Sequence, residues 1–99
     1  MTQTTIIRLL KDNKQFLKDK YSLTRIGLFG SYSTNTNDEN SDIDLVYELA
    51  EGEKIGLKKI HELEVFLKKL LQTNKIDLIN RKYMNPIISY EMEKAVIYV

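Results

Sequence analysis

Apolar residues along this chain fall into clusters, and the spacing within each cluster names the element it builds. From Thr4 to Tyr21, Ile6, Ile7, Leu9, Leu10, Phe16 and Leu17 recur at helical intervals between lysines and acids. That pattern predicts one amphipathic helix, capped by Thr4 or Thr5. Leu23 to Phe29 has Leu23, Ile26, Leu28 and Phe29 with a β-branched and aromatic bias, which predicts a buried strand that stops at Gly30. Ser31 to Ser41 contains one aromatic and no aliphatic residue, the composition of a long surface loop. Asp42 to Leu49 (DIDLVYEL) opens with strict alternation, the mark of a strand with one buried face.

Past a turn at Glu51 to Glu53, residues Leu57, Ile60, Leu63, Phe66, Leu67, Leu70 and Leu71 mark a second helix of about five turns. Lys58, Lys59, Lys68 and Lys69 lie on its other face and read as solvated rather than as a nucleic-acid patch, because Glu62 and Glu64 interrupt them. Lys75 to Asn80 (KIDLIN) is a third short strand, and Asn85 before Pro86 is a cap and first-turn pair that starts a helix running to about Lys94. The terminal AVIYV is a fourth strand. The first two strands can pair antiparallel, whereas the third follows a crossover helix. The fold class is therefore α+β: a mixed sheet of about four strands with helices packed mainly on one side.

Composition narrows the reading. Ninety-nine residues without a linker or repeat describe a single domain over residues 1–99, too small to carry a second lobe. Fifteen Lys plus Arg against fourteen Asp plus Glu leaves a net charge of +1, so no global field argues for a long polyanion. The absence of cysteine removes disulfides, thiolate metal sites and Cys nucleophiles, and fits a reducing, cytoplasmic setting. Neither a signal peptide nor a membrane-spanning run is expected. His61, the sole histidine, sits among acids on a helix face and offers no triad.

The chemistry lies in three acids within strand-like contexts: Asp42 and Asp44 in SDIDL, and Asp77 in KIDLI. Residues two apart on a strand share a face, so the first two carboxylates project side by side and repel unless a cation lies between them. If the third strand pairs beside the second, Asp77 joins them, and three hard oxygen donors suit Mg²⁺ or Mn²⁺. Gly30 and Ser31 end the preceding strand. A glycine lets backbone approach phosphate oxygens, and serine adds an amide and a hydroxyl donor. A phosphate-holding turn beside a carboxylate cluster for two metals is what nucleotidyl transfer requires.

Gly30-Ser31, ten residues, then Asp42-Ile43-Asp44-Leu45 resembles the G-S-x10-D-x-D signature of the DNA polymerase β-like nucleotidyltransferase superfamily. In length the chain is similar to its minimal, MNT-domain members. The resemblance extends over LTRIGLFG, KIDLI and the tail RKYMNPIISYEMEKAVIYV. It implies that Gly30 and Ser31 bind nucleotide phosphates, that Asp42 and Asp44 bind the metals, and that Asp77 is the base or a third ligand. It further implies ATP as substrate, Mg²⁺ as cofactor, and a HEPN-domain RNase toxin as partner, neutralised by transfer of AMP to a tyrosine. Where many relatives carry Arg and Gly, this chain has Thr34 and Asn35.

Other readings stand beside that one. The fold could serve as a binding antitoxin that masks the toxin with vestigial carboxylates, or transfer could go to a nucleic-acid 3′ end. A homodimer through the closing strand is a further option. Tyr32 either stacks on a base or packs under the loop, and Tyr83, Tyr90 and Tyr98 are expected in the core or an interface.

Overall fold

In a computed structural model, which describes residues 1–99, the elements are α1 (Gln3–Asp12), α2 (Lys14–Tyr21), β1 (Leu23–Phe29), β2 (Ile43–Leu49), α3 (Leu57–Leu70), β3 (Ile76–Asn80), α4 (Pro86–Glu93) and β4 (Ile97–Tyr98). Short 3-10 turns follow β1 (Gly30–Tyr32) and β3 (Arg81–Tyr83). The sheet order is β3-β2-β1-β4. β1 pairs antiparallel with β2 and β4, and β2 pairs parallel with β3 across the α3 crossover. The mixed four-stranded sheet expected from the pattern is present.

The single N-terminal helix is not. Asn13 (φ −108°, ψ 8°) divides it into α1 and α2. Its side-chain amide donates to the Leu9 carbonyl at 2.8 Å, a competing bond that the helical ladder does not survive. The cap is Thr2 rather than Thr4 or Thr5, its hydroxyl accepting from the Thr5 amide. α3 is shorter than expected, and Leu57 at its start is 88% exposed, outside the core. Asn85 caps α4 as predicted, its side chain accepting from the Ile87 amide at 2.8 Å.

One face of the sheet carries the core. Ile26 and Leu28 of β1 and Ile43, Leu45 and Tyr47 of β2 pack with Ile6 and Leu10 of α1, Leu17 and Tyr21 of α2, and Leu63 and Leu67 of α3. The alternate positions, Arg25 and Gly27 in β1 and Asp44, Val46 and Glu48 in β2, point to the opposite face. There the closing segment lies close. A Cβ on Gly27 would meet the Tyr98 ring at 2.8 Å and Val96 at 2.9 Å, so only glycine admits this approach. Arg81 pairs with Glu48 of β2 and Glu93 of α4, while Arg25 pairs with Glu48 and stacks on Tyr98, 3.6 Å from its centroid. Polar contacts thus tie α4 and β4 to the face that carries Asp44. Of the core and interface placements expected for these tyrosines, Tyr83 (76% exposed) and Tyr90 (66% exposed) lie on the surface rather than in the core, and Tyr98 is half-buried. No helix is long and apolar enough to cross a membrane.

Candidate functional site

The site is built where three strands begin or end together. β1 runs out at Phe29, and its antiparallel register sets Phe29 opposite Asp44. The parallel register of β2 and β3 sets Asp44 opposite Asp77, about 4.8 Å apart across the ladder. Asp42 lies just before β2, exposed, with Ile43 anchored by donating to the Lys75 carbonyl at 2.8 Å. Asp77 is also exposed, whereas Asp44 is half-buried.

Gly30 closes the arrangement. It holds φ +72°, a left-handed conformation that costs any other residue strain. A Cβ built there would fall 2.1 Å from Asp44 Oδ2. The turn's backbone therefore lies directly on the carboxylate, with no side chain between them. Within the turn, the Ser33 amide and hydroxyl donate to the Gly30 carbonyl at 3.1 and 2.7 Å, and the Thr36 amide donates to the Ser31 carbonyl at 2.9 Å. Gln3 of α1 donates to the Tyr32 and Ser33 carbonyls. Tyr32 itself is buried in the core, so of its two sequence readings the structure selects packing under the loop.

Asp44 has its pKa raised to about 6, first by burial, then by the charges of Asp77 and Asp42. The three acids sense one another, as their spacing predicts, but they do not close into a cluster of three groups able to hold a metal ion. The donor set nonetheless fits a hard divalent cation: all carboxylate oxygens, two in facing strands and one adjoining, with the central one destabilised as an anion in the way that a cation reverses.

Two cavities border the sheet. The larger, about 760 Å³, lies at the opposite end, against Glu51, Lys54, Leu57, Arg81 and Tyr83, away from the acids. The smaller, about 400 Å³, lies between the Gly30-Ser31 turn and α4, lined by Phe29, Thr34, Thr36, Ile88, Glu91 and Met92 among others. Chemistry favours the smaller one, because it adjoins the phosphate-type turn. Sequence reasoning missed its α4 wall: nothing in PIISYEME marks which apolar side chains face a turn more than fifty residues earlier. Thr34 and Asn35 carry no cationic group, but Asn35 holds φ +57°, the conformation a glycine would take there.

A family model described as nucleotidyltransferase domain matches residues 10–98. A Methanocaldococcus jannaschii chain, named by inference as a protein adenylyltransferase, is 38% identical over 99 residues, covering 99% of this chain and 98% of its own. The protein adenylyltransferase MntA of Thermococcus cleftensis is 30% identical over 99 residues, covering 100% and 97%. Among solved structures, a crystal structure of a toxin-antitoxin with AMP-PNP superposes with a TM-score of 0.68 at 26% identity, over 99% of this chain and 72% of that one.

Proposed function

The chain belongs to the nucleotidyltransferase domain family, and from that premise we propose that it is a metal-dependent protein adenylyltransferase that acts as an antitoxin. Its substrate is ATP, and its acceptor is a tyrosine hydroxyl on a HEPN-domain RNase toxin, which the transfer neutralises. One observation carries this reading: Asp44 faces Asp77 across β2 and β3 while the Gly30 backbone rests on the Asp44 carboxylate. The Gly30-Ser31 turn and the facing carboxylates meet at one end of the strands β1, β2 and β3. The full-length similarity to named adenylyltransferases, and the toxin-antitoxin likeness, support the acceptor class.

In this mechanism the Gly30 and Ser31 amides and the Ser31 hydroxyl hold the outer phosphates, leaving the α-phosphorus over the acids. Asp42 and Asp44 would hold Mg²⁺ or Mn²⁺, and Asp77 would serve as third ligand or take the acceptor's proton. A divalent cation bound there lowers the pKa of the attacking hydroxyl and offsets charge growing at the α-phosphorus. The tyrosine oxygen bonds to the α-phosphorus, the bond to the β-phosphate oxygen breaks, and pyrophosphate leaves. Residues 1–99 supply the donor half, and the partner supplies the acceptor.

The test is incubation of the purified chain with labelled ATP, Mg²⁺ and the HEPN protein of the same genome. Label should pass to the toxin, and Asp42→Ala with Asp44→Ala should abolish transfer. Equal labelling by that double variant overturns the proposal. If the variant labels nothing yet still protects cells at normal protein levels, masking rather than transfer is the mechanism.

A further inference from the structure

The turn after β1 is held from two sides, and one of the holds is remote. A trans peptide unit points its carbonyl and its amide in opposite directions, so whatever binds the carbonyls of a turn also aims the amides that follow them. Successive carbonyls are engaged here. That of Gly30 accepts from the Ser33 amide and hydroxyl, and that of Ser31 from the Thr36 amide and the Thr34 hydroxyl. Those bonds close within the turn itself. The carbonyls of Tyr32 and Ser33 have a different donor, Gln3 Nε2 at 3.2 and 2.8 Å, and no other group donates to either. Gln3 thus directs both protons of its side-chain amide nitrogen at two consecutive peptide units. It stands on a firm wall: Ile6, one turn later on the same face of α1, is fully buried in the core that also takes the Tyr32 ring.

The peptide unit that Gln3 holds at the Ser33 carbonyl carries the Thr34 amide on its other side. That amide donates to nothing in the chain, and Thr34 borders the cavity of about 400 Å³ beside the turn. We propose that Gln3 is a positioning residue for the nucleotide: by fixing the Ser33-Thr34 peptide from α1, it keeps the Thr34 amide aimed as a further donor to the outer phosphates of the triphosphate. Gln3 itself touches no nucleotide. The inference rests on the reading of the chain as a nucleotide-using transferase, and it adds a residue that lies outside the Gly-Ser motif by almost thirty positions. A peptide already oriented needs little further ordering when a phosphate arrives, whereas a free one must be ordered at that moment and weakens binding accordingly. A purely architectural bond, pinning α1 to the loop, affects all ligands alike. A bond that aims a phosphate donor matters in proportion to the phosphates present.

The experiment is calorimetric titration of ATP and AMP, with Mg²⁺, into the full chain and into two variants that lack the donor: Gln3→Met, which keeps the length of the side chain, and Gln3→Ala. Both should bind ATP about tenfold more weakly, the scale of one hydrogen bond to a charged group, and AMP within about twofold of wild type. Circular dichroism and melting temperature report that each variant folds. Wild-type ATP affinity in both variants overturns the inference and leaves the transferase reading intact. An equal loss for ATP and AMP does the same, because it marks a bond that supports the fold without favouring the outer phosphates. Failure of ATP to bind the wild-type chain overturns both.

Discussion

The Gly30 backbone lies against the carboxylate of Asp44, so closely that a Cβ at position 30 would sit 2.1 Å from Oδ2. Two restraints coincide there, the contact and the φ of +72°. Gly30→Ala should therefore cost about 1–3 kcal/mol, lowering the melting temperature by several degrees, and should lower ATP affinity as well. In an Asp44→Ala background the same substitution should cost less, because the carboxylate is gone and only the backbone strain and a 3.3 Å approach to the Cβ of residue 44 remain. Thermal melts of the four proteins in a double-mutant cycle measure the difference.

Asp44 makes a pH-dependent contribution whose sign is unfavourable. Its folded-state pKa of about 6 lies above the ordinary 3.8, so the native protein binds more protons than the unfolded chain between these values and loses stability as pH rises through them. At pH 7.5, in EDTA, Asp44→Asn should raise stability by about 1 kcal/mol once solvent screening at a half-exposed site is allowed for. Below pH 4 the two proteins should melt together. Mg²⁺ should stabilise the wild type and leave the asparagine variant unmoved; a wild type insensitive to Mg²⁺ speaks against the cation site.

Position 35 separates backbone from side chain. Asn35 holds φ +57°, so Asn35→Gly should fold with unchanged stability, and Asn35→Val should lose about 1–2 kcal/mol. The turn thus holds a left-handed residue without a glycine, and Thr34 before it carries no cationic group. Thr34→Arg should tighten ATP binding by about tenfold through charge-assisted contacts to phosphate. Calorimetric titration of the variant checks this, and an unchanged affinity counts against phosphates lying along this turn.

Arg81 joins Glu48 of β2 to Glu93 at the end of α4. Arg81→Ala should speed amide hydrogen exchange in α4 while exchange in β1 and β2 stays slow, and should cost about 1 kcal/mol of global stability. Uniform acceleration across the chain would show that the network supports the whole fold rather than this one helix.

The sequence was most readable where one short-range rule decided the outcome. Asn85-Pro86 starts α4 because cap and ring each suit the first turn, and the DIDL alternation becomes β2 because its inward positions fill a core. Asn13 was illegible because the apolar period continues through it, whereas the helix breaks on a polar side-chain bond. For Tyr83 and Tyr90 the sequence left core and interface both open, and their exposure removes the core. An aromatic residue says what it can bury but not whether a neighbour arrives to cover it. Of the site, residue types and spacing were readable, and so was the pairing of Asp44 with Asp77 once the crossover was assumed. The contact of Gly30 with Asp44 was not, since it depends on register across two strands and a turn.

The parallel pairing of β2 with β3 also has a temporal side. Phe29 meets Asp44 across the fourteen residues 30–43, but Asp77 reaches Asp44 only after α3 has docked on the sheet and brought the chain back. The longer closure carries the larger entropic cost and should form later. During synthesis the Gly30-Ser31 turn and the first two acids are therefore assembled while the third is still being made. The three acids come together only with the crossover, so a chain arrested or cleaved within α3 has Asp42 and Asp44 but not Asp77 beside them.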